Sequence, residues 1–93
     1  MEGNNMGKVL MILRIMPSSV DIKPEQLKED VEKALPEGCR LVNARPFPIA
    51  FGIVALDTYI EVPEKEGISE KVQNMIKNVE SVSEVQVMTV TRV

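Results

Sequence analysis

The sequence predicts an α+β fold, because segments with strand periodicity and segments with helical periodicity follow one another in the order strand, helix, strand, strand, helix, strand. Apolar residues alternate along the expected strands, and proline, glycine or serine residues bound these segments. The expected helices carry apolar residues on one stripe. The 93 residues, 44% of them hydrophobic, are enough for one core and too few for two. We therefore expect a single domain.

The first strand and the first helix are expected between residues 8 and 35. Lys8–Pro17, KVLMILRIMP, has apolar residues on both faces, which is typical of a central strand. Pro24 suits the first turn of a helix, where no N–H donor is needed. The helix then has apolar residues at helical spacing, namely Leu27, Val31, Ala34 and Leu35. Pro36 ends the helix.

The remaining elements are expected between residue 39 and the end of the sequence. Cys39–Ala44 predicts a short edge strand, since Pro46 and Pro48 follow it and cannot donate ladder hydrogen bonds. Ile53–Val62 alternates and predicts a long, half-solvated strand. The second helix is indicated by apolar residues on one stripe, Ile68, Val72, Met75, Ile76 and Val79. Ser83–Val93 is rich in valine and threonine, which favours a strand.

This order predicts the ferredoxin-like split βαββαβ fold. Right-handed crossovers would place both helices on one face of a four-stranded antiparallel sheet. We expect the first and last strands at or next to the centre of the sheet. The other face would carry Arg14, Asp57, Tyr59 and Glu61 and would be open to solvent or to a partner.

The composition excludes several kinds of active site. The sequence has no histidine and one cysteine, Cys39, so it offers neither a Ser/His/Asp arrangement nor the usual ligands of a zinc site. Its scattered glycines form no phosphate-binding loop or dinucleotide fingerprint. We expect no metal, no cofactor and no enzymatic activity. Cys39, which follows a glycine at a strand start, is expected to be a small half-buried residue.

Charge and hydropathy limit the possible partners and location. The net charge of -3 argues against a dominant basic surface for nucleic acid. No apolar stretch approaches the roughly 20 residues that span a bilayer, and no signal peptide pattern is present. We expect a cytoplasmic protein without membrane contact. Residues 1–6 are expected to form a disordered leader, and residues 7–93 the domain.

The stretch PIAFGIVAL, Pro48–Leu56, has two interpretations. RNA-recognition domains with this element order carry stacking aromatics in a run of the type K/R-G-F/Y-G/A-F-V on the third strand. Here the run has Ile49 at the basic position, Ala50 at the first glycine and Ile53 at the second aromatic. One ring on an acidic chain would hold RNA weakly, because stacking contributes ~1–3 kcal/mol per base.

The second interpretation is a resemblance to a family. FPIAFGIVAL, Phe47–Leu56, and VESVSEVQVMTVTRV, Val79–Val93, are similar to the corresponding segments of the guanine nucleotide exchange domain of translation elongation factor 1-beta. The resemblance begins at Met6, extends over nearly the whole chain and includes the order of the elements. It fits the short archaeal form, which has only this domain and ends in a basic residue followed by an apolar one.

The resemblance implies a function and a set of partner-binding residues. The family binds elongation factor 1-alpha and promotes GDP release without covalent chemistry. Its loop aromatic, which enters an apolar pocket of the G protein, corresponds to Phe51, and its penultimate lysine, which reaches the magnesium site, corresponds to Arg92. The residues expected to shape the loop and to hold the tail are Pro48, Ile49, Ala50, Gly52, Thr91 and Val93.

Two alternatives remain open from the residues. One is an RNA-binding module with the topology of the RNA-recognition domains, and the other is a small-molecule regulatory domain of the same fold. If the chain is instead an exchange factor, as the resemblance implies, we expect no direct contact with nucleic acid. The sequence leaves the oligomeric state open.

Overall fold

A computed structural model describes residues 7–92. The expected leader, residues 1–6, and Val93 lie outside the described residues. The elements follow the predicted order, and their bounds are β1 (Lys8–Pro17), α1 (Pro24–Ala34), β2 (Arg40–Ala50), β3 (Ile53–Pro63), α2 (Ile68–Lys77) and β4 (Val82–Arg92). Within this range the strands form one four-stranded antiparallel sheet. The predicted ferredoxin-like α+β fold is confirmed.

The strand order is β2-β3-β1-β4. β1 lies at the centre, as predicted from its apolar residues on both faces. β4 lies at an edge and next to the central β1, which is the outer of the two positions that the sequence analysis left open for the last strand. The reason is that β2 and β3 form a hairpin and β3 pairs with one side of β1, which leaves only the other side of β1 for β4.

The core lies between the helices and one face of the sheet. Burial alternates along β1, where Met11, Leu13 and Ile15 are fully buried and their neighbours are half-buried. The helices contribute Leu27, Val31, Val72 and Ile76 to this core. Full burial of an aliphatic side chain of this size stabilises a fold by about 1.5–3 kcal/mol. The opposite face of the sheet, here called the open face, carries the half-buried Arg14, Asp57, Tyr59 and Glu61, as expected.

β2 is longer than the predicted edge strand Cys39–Ala44, because it continues to Ala50. Pro46 pairs with Leu56 and Pro48 with Val54. Alternate residues of an antiparallel edge strand direct their N–H groups away from the sheet. Two prolines at alternate positions therefore occupy outward positions without breaking the ladder.

The hairpin formed by β2 and β3 extends beyond the part of it that pairs with β1. β1 pairs with β3 only as far as Ile15 and Leu56, whereas β2 and β3 stay paired to Ala50 and Ile53. Residues 46–55 therefore include a two-stranded projection from the end of the sheet, here called the ribbon. In the part of the chain that the structure describes, no helix has the length and apolar character needed to cross a membrane.

Candidate functional site

The tip of the ribbon is a turn made of Phe51 and Gly52. Ala50 pairs with Ile53, and the two residues between them have φ values of 54° and 80°. Positive φ at both central residues is the pattern of a type I′ turn, which usually contains Asn-Gly or Asp-Gly. Among residues 7–92, Phe51 is the only residue other than glycine with positive φ. This conformation costs an L-residue with a large side chain roughly 1–2 kcal/mol.

The side chain of Phe51 gains nothing from the fold in return. It is 94% exposed, so it has almost no contact with the rest of the domain. Ile49 is also exposed, at 44%. Exposed apolar groups that lie together are common at the interaction surfaces of proteins. The turn is therefore strained and apolar, and neither property stabilises the isolated domain.

The residues that were expected to shape the loop lie beside Phe51. Pro48 and Ala50 pair with residues of β3, and the register shifts between them, so Ile49 is an extra residue in β2. Such a bulge increases the local twist and redirects the strand. A Cβ atom at position 52 would meet no other atom within 4 Å, so a larger side chain would fit there. Glycine is favoured at this position because of its positive φ.

Arg92 is the last residue of β4 and lies opposite Val9 of β1. Its side chain is 74% exposed and donates a hydrogen bond to the carboxylate of Glu64, with which it forms an ion pair. Glu64 follows β3, and its backbone N–H donates to the carbonyl of Gly7 over 3.0 Å. Thr91 is exposed and lies opposite Leu10.

The structure places Phe51 and Arg92 at opposite ends of the sheet. Arg92 is level with Val9 at the start of β1, whereas Phe51 lies beyond Leu56, which is level with Ile15 at the other end. With a rise of about 3.3 Å per strand residue, the two side chains are about 35 Å apart along the strands. The longest dimension of the chain is 49 Å. The candidate site therefore consists of two separate parts.

Arg14, Asp57 and Phe47 form a cluster on the open face, and the sequence did not predict these contacts. The Nε of Arg14 donates to Oδ1 of Asp57 over 2.8 Å, and its terminal nitrogen donates to Oδ2 over 3.1 Å. The guanidinium carbon also lies 3.6 Å from the centre of the Phe47 ring. The hydrogen bond to Asp57 raises the pKa of Arg14. Sequence reasoning placed Arg14 and Asp57 on this face, but their pairing depends on the register of β1 against β3.

Cys39 is half-buried, as expected, and packs against the core. Burial raises the pKa of its thiol, although Lys71 and Lys65 act in the opposite direction. The thiol is therefore protonated at neutral pH and a poor nucleophile. No group of three or more His, Cys, Asp or Glu side chains within residues 7–92 could hold a metal ion.

A solved structure with the same fold is the C-terminal domain of the MgtC protein from Mycobacterium tuberculosis. The two chains superpose with a TM-score of 0.60, and the match covers 95% of this chain and 92% of that domain. Their sequence identity is 10%, so the likeness concerns the fold alone.

Similarity in sequence, unlike this likeness in fold, identifies a family. Residues 10–93 match the model of the EF-1 guanine nucleotide exchange domain. Elongation factor 1-beta of Staphylothermus marinus is 46% identical, with 95% of this chain and 99% of that protein covered. Elongation factor 1-beta of Sulfolobus acidocaldarius is 45% identical, with 90% and 94% covered. The chain therefore belongs to the EF-1 guanine nucleotide exchange domain family and has the role of that family in translation elongation.

Proposed function

We propose that this protein binds elongation factor 1-alpha and accelerates GDP release from it, with Phe51 and Arg92 contacting separate parts of that G protein. The family match supports the partner and the reaction. The protein acts by binding and makes no covalent bond. It acts in the cytoplasm, where translation factors meet their partners.

Phe51 is the observation that supports this proposal most. A ring that is 94% exposed, on a backbone in the left-handed region, has no role in the stability of the domain. Large apolar side chains that become fully desolvated at an interface contribute most of its affinity. Phe51 therefore anchors the domain in an apolar pocket of the partner. Pro48, Ile49, Ala50 and Gly52 fix the shape of the turn that presents it.

Arg92 acts on the nucleotide through its charge. A guanine nucleotide is held in a G protein largely through its phosphates and a bound Mg²⁺ ion. A guanidinium placed beside that ion repels it and competes for the same oxygen ligands. Arg92 is suited to this task because it is mostly exposed and lies at the end of an edge strand. Arginine reaches further than lysine and presents a planar set of donors, so it acts from a slightly greater distance. Thr91, together with Val93, holds this end of the chain against the partner.

The test is GDP release from purified elongation factor 1-alpha. The G protein is loaded with fluorescent GDP, excess unlabelled GDP is added, and the fluorescence decay is recorded at increasing concentrations of this protein. We expect the release rate to rise with concentration and to reach a plateau. The matched control is a variant with both Phe51→Ala and Arg92→Met, which should leave the intrinsic rate unchanged.

The alternatives predict different results in parallel titrations. An RNA-binding module would bind labelled RNA with a strong dependence on salt and leave GDP release unchanged. A release rate that stays at the intrinsic value, although both proteins are folded, would reject the proposed function.

A further inference from the structure

The position of Phe51 depends on how the ribbon is held. Beyond Ile15 the two strands of the ribbon are no longer paired with β1. A two-stranded hairpin is only marginally stable by itself in water. Side-chain contacts at its base, where it leaves the sheet, therefore help to fix its direction relative to the sheet.

Phe47 lies at that base. It is in β2, opposite Ala55 of β3, and Ala55 is fully buried although it lies on the open face. The Phe47 ring stacks on the guanidinium of Arg14, with 3.6 Å between the guanidinium carbon and the ring centre. Arg14 belongs to β1, so this contact joins the ribbon to the central strand of the sheet.

Asp57 determines the orientation of the guanidinium. Its two oxygens accept hydrogen bonds of 2.8 Å and 3.1 Å from Arg14, which is the bidentate geometry that fixes the guanidinium plane. Asp57 lies opposite Arg14 in β3, and both side chains are mostly shielded from solvent. A freely rotating cation would leave the ring unsupported, whereas this one forms a fixed flat surface for it.

We propose that Arg14, oriented by Asp57, is a positioning residue that holds Phe47 and thereby fixes the ribbon that presents Phe51 to the partner. This inference rests on the proposed function of Phe51. Without the contact, the ribbon samples several directions, and only a fraction of molecules presents the ring correctly. The apparent affinity falls by that fraction. The rate of GDP release in the bound complex stays the same, because Arg92 at the other end of the sheet is unaffected.

The first test compares Arg14→Met with the native protein in the GDP release titration. Methionine keeps an unbranched side chain but removes the charge and the planar donors. We expect the concentration at half-maximal rate to rise about fivefold, which corresponds to one molecule in five presenting the ring, while the plateau rate stays within about twofold. An unchanged half-maximal concentration, or a lower plateau, would overturn the proposal.

Two substitutions of Phe47 provide the conservative comparison. Phe47→Tyr keeps a ring for the guanidinium and should behave like the native protein. Phe47→Leu keeps an apolar side chain without the ring and should behave like Arg14→Met. Equal behaviour of the two variants would contradict a role for stacking. This pair also decides the question if the Arg14 variant does not fold, as judged by its circular dichroism melting curve.

A double-mutant cycle separates positioning from direct contact. If Arg14 acts through Phe51, then Arg14→Met should have no further effect in a protein that already carries Phe51→Ala. An additive fivefold effect would mean that Arg14 touches the partner itself, and the proposal would be wrong. Failure of this inference is distinguishable from failure of the proposed function, since the latter would already appear in the native protein, which would leave GDP release at its intrinsic rate.

Discussion

The turn at Phe51 and the end of β4 at Arg92 differ in backbone, side chain and surroundings. Phe51 has a positive φ and an apolar ring that is almost fully exposed. Arg92 lies in regular β-structure, paired with β1, and its charge is matched by Glu64. One end presents an apolar group on a strained backbone, whereas the other presents a cation in a weak ion pair on a relaxed one.

This difference predicts a division of roles. Affinity comes mainly from apolar side chains that are removed from water at an interface. An exposed charge adds little affinity, because its attraction is weakened by solvent, but it changes the electrostatic field wherever the interface places it. Since the two ends lie about 35 Å apart along the strands, they reach different parts of the partner. Substitutions at each end should therefore change different parameters of the same titration.

The largest effect is expected for Phe51→Ala. Truncation of an aromatic anchor commonly costs ~2 kcal/mol or more, which is about a 30-fold change. The concentration of this protein at half-maximal GDP release should rise by that factor, while the plateau rate changes little. The plateau is measured with fluorescent GDP, and direct binding is measured by calorimetry. A shift of less than twofold would show that the ring is not the anchor.

The next largest effect is expected for Arg92→Met, which removes the charge and keeps much of the apolar stem. The plateau rate should fall about tenfold, equivalent to ~1.4 kcal/mol in the barrier, because the cation acts on the bound complex. The half-maximal concentration should change less than twofold. Arg92→Lys is the matched control, since it restores the charge and should recover most of the rate. If the variant instead shifts only the half-maximal concentration, the two ends do not divide the roles as proposed.

The fold was predictable because strand alternation and helical spacing depend on local sequence. The length of β2 was underestimated because prolines usually end a strand. Pro46 and Pro48 can remain in β2 only because it is an edge strand. The position of β4 follows from which side of β1 is free, which is a property of the whole sheet. The residues proposed for the site came from similarity to a family. The sequence did not predict the geometry of these residues, because the turn at Phe51 lacks the asparagine or aspartate that usually marks a type I′ turn.

The contact between Arg14 and Phe47 shows why the rest of the site was missed. Arg14 and Asp57 are far apart in sequence, and their pairing requires the register of β1 against β3. Phe47 precedes a proline, which obscured its place in a strand. These contacts become visible only when three strands are aligned, and no pattern within one strand contains them.

A smaller effect is expected for the stability of the isolated domain. Phe51→Asn replaces the residue in the left-handed conformation by one that tolerates it. The free energy of unfolding should rise by about 1 kcal/mol, and the melting temperature by about 4–8 °C for a domain of this size. The variant should nevertheless lose affinity as Phe51→Ala does. Phe51→Ala is the control, because alanine keeps most of the backbone strain. A lower melting temperature for Phe51→Asn would mean that the ring stabilises the fold.

The smallest effect is expected for the ion pair that holds Arg92. Glu64 is 37% exposed, and a pair of this kind contributes about 0.2–1 kcal/mol. Arg92 must leave Glu64 before it can act on the partner, so Glu64→Gln should raise the plateau rate of GDP release by about twofold to threefold. The matched control is Glu61→Gln, which removes ion pairs with Lys8 and Arg40 at the same end of the sheet and should leave the plateau unchanged. A lower plateau for Glu64→Gln would show that Glu64 directs Arg92 toward the partner instead of restraining it.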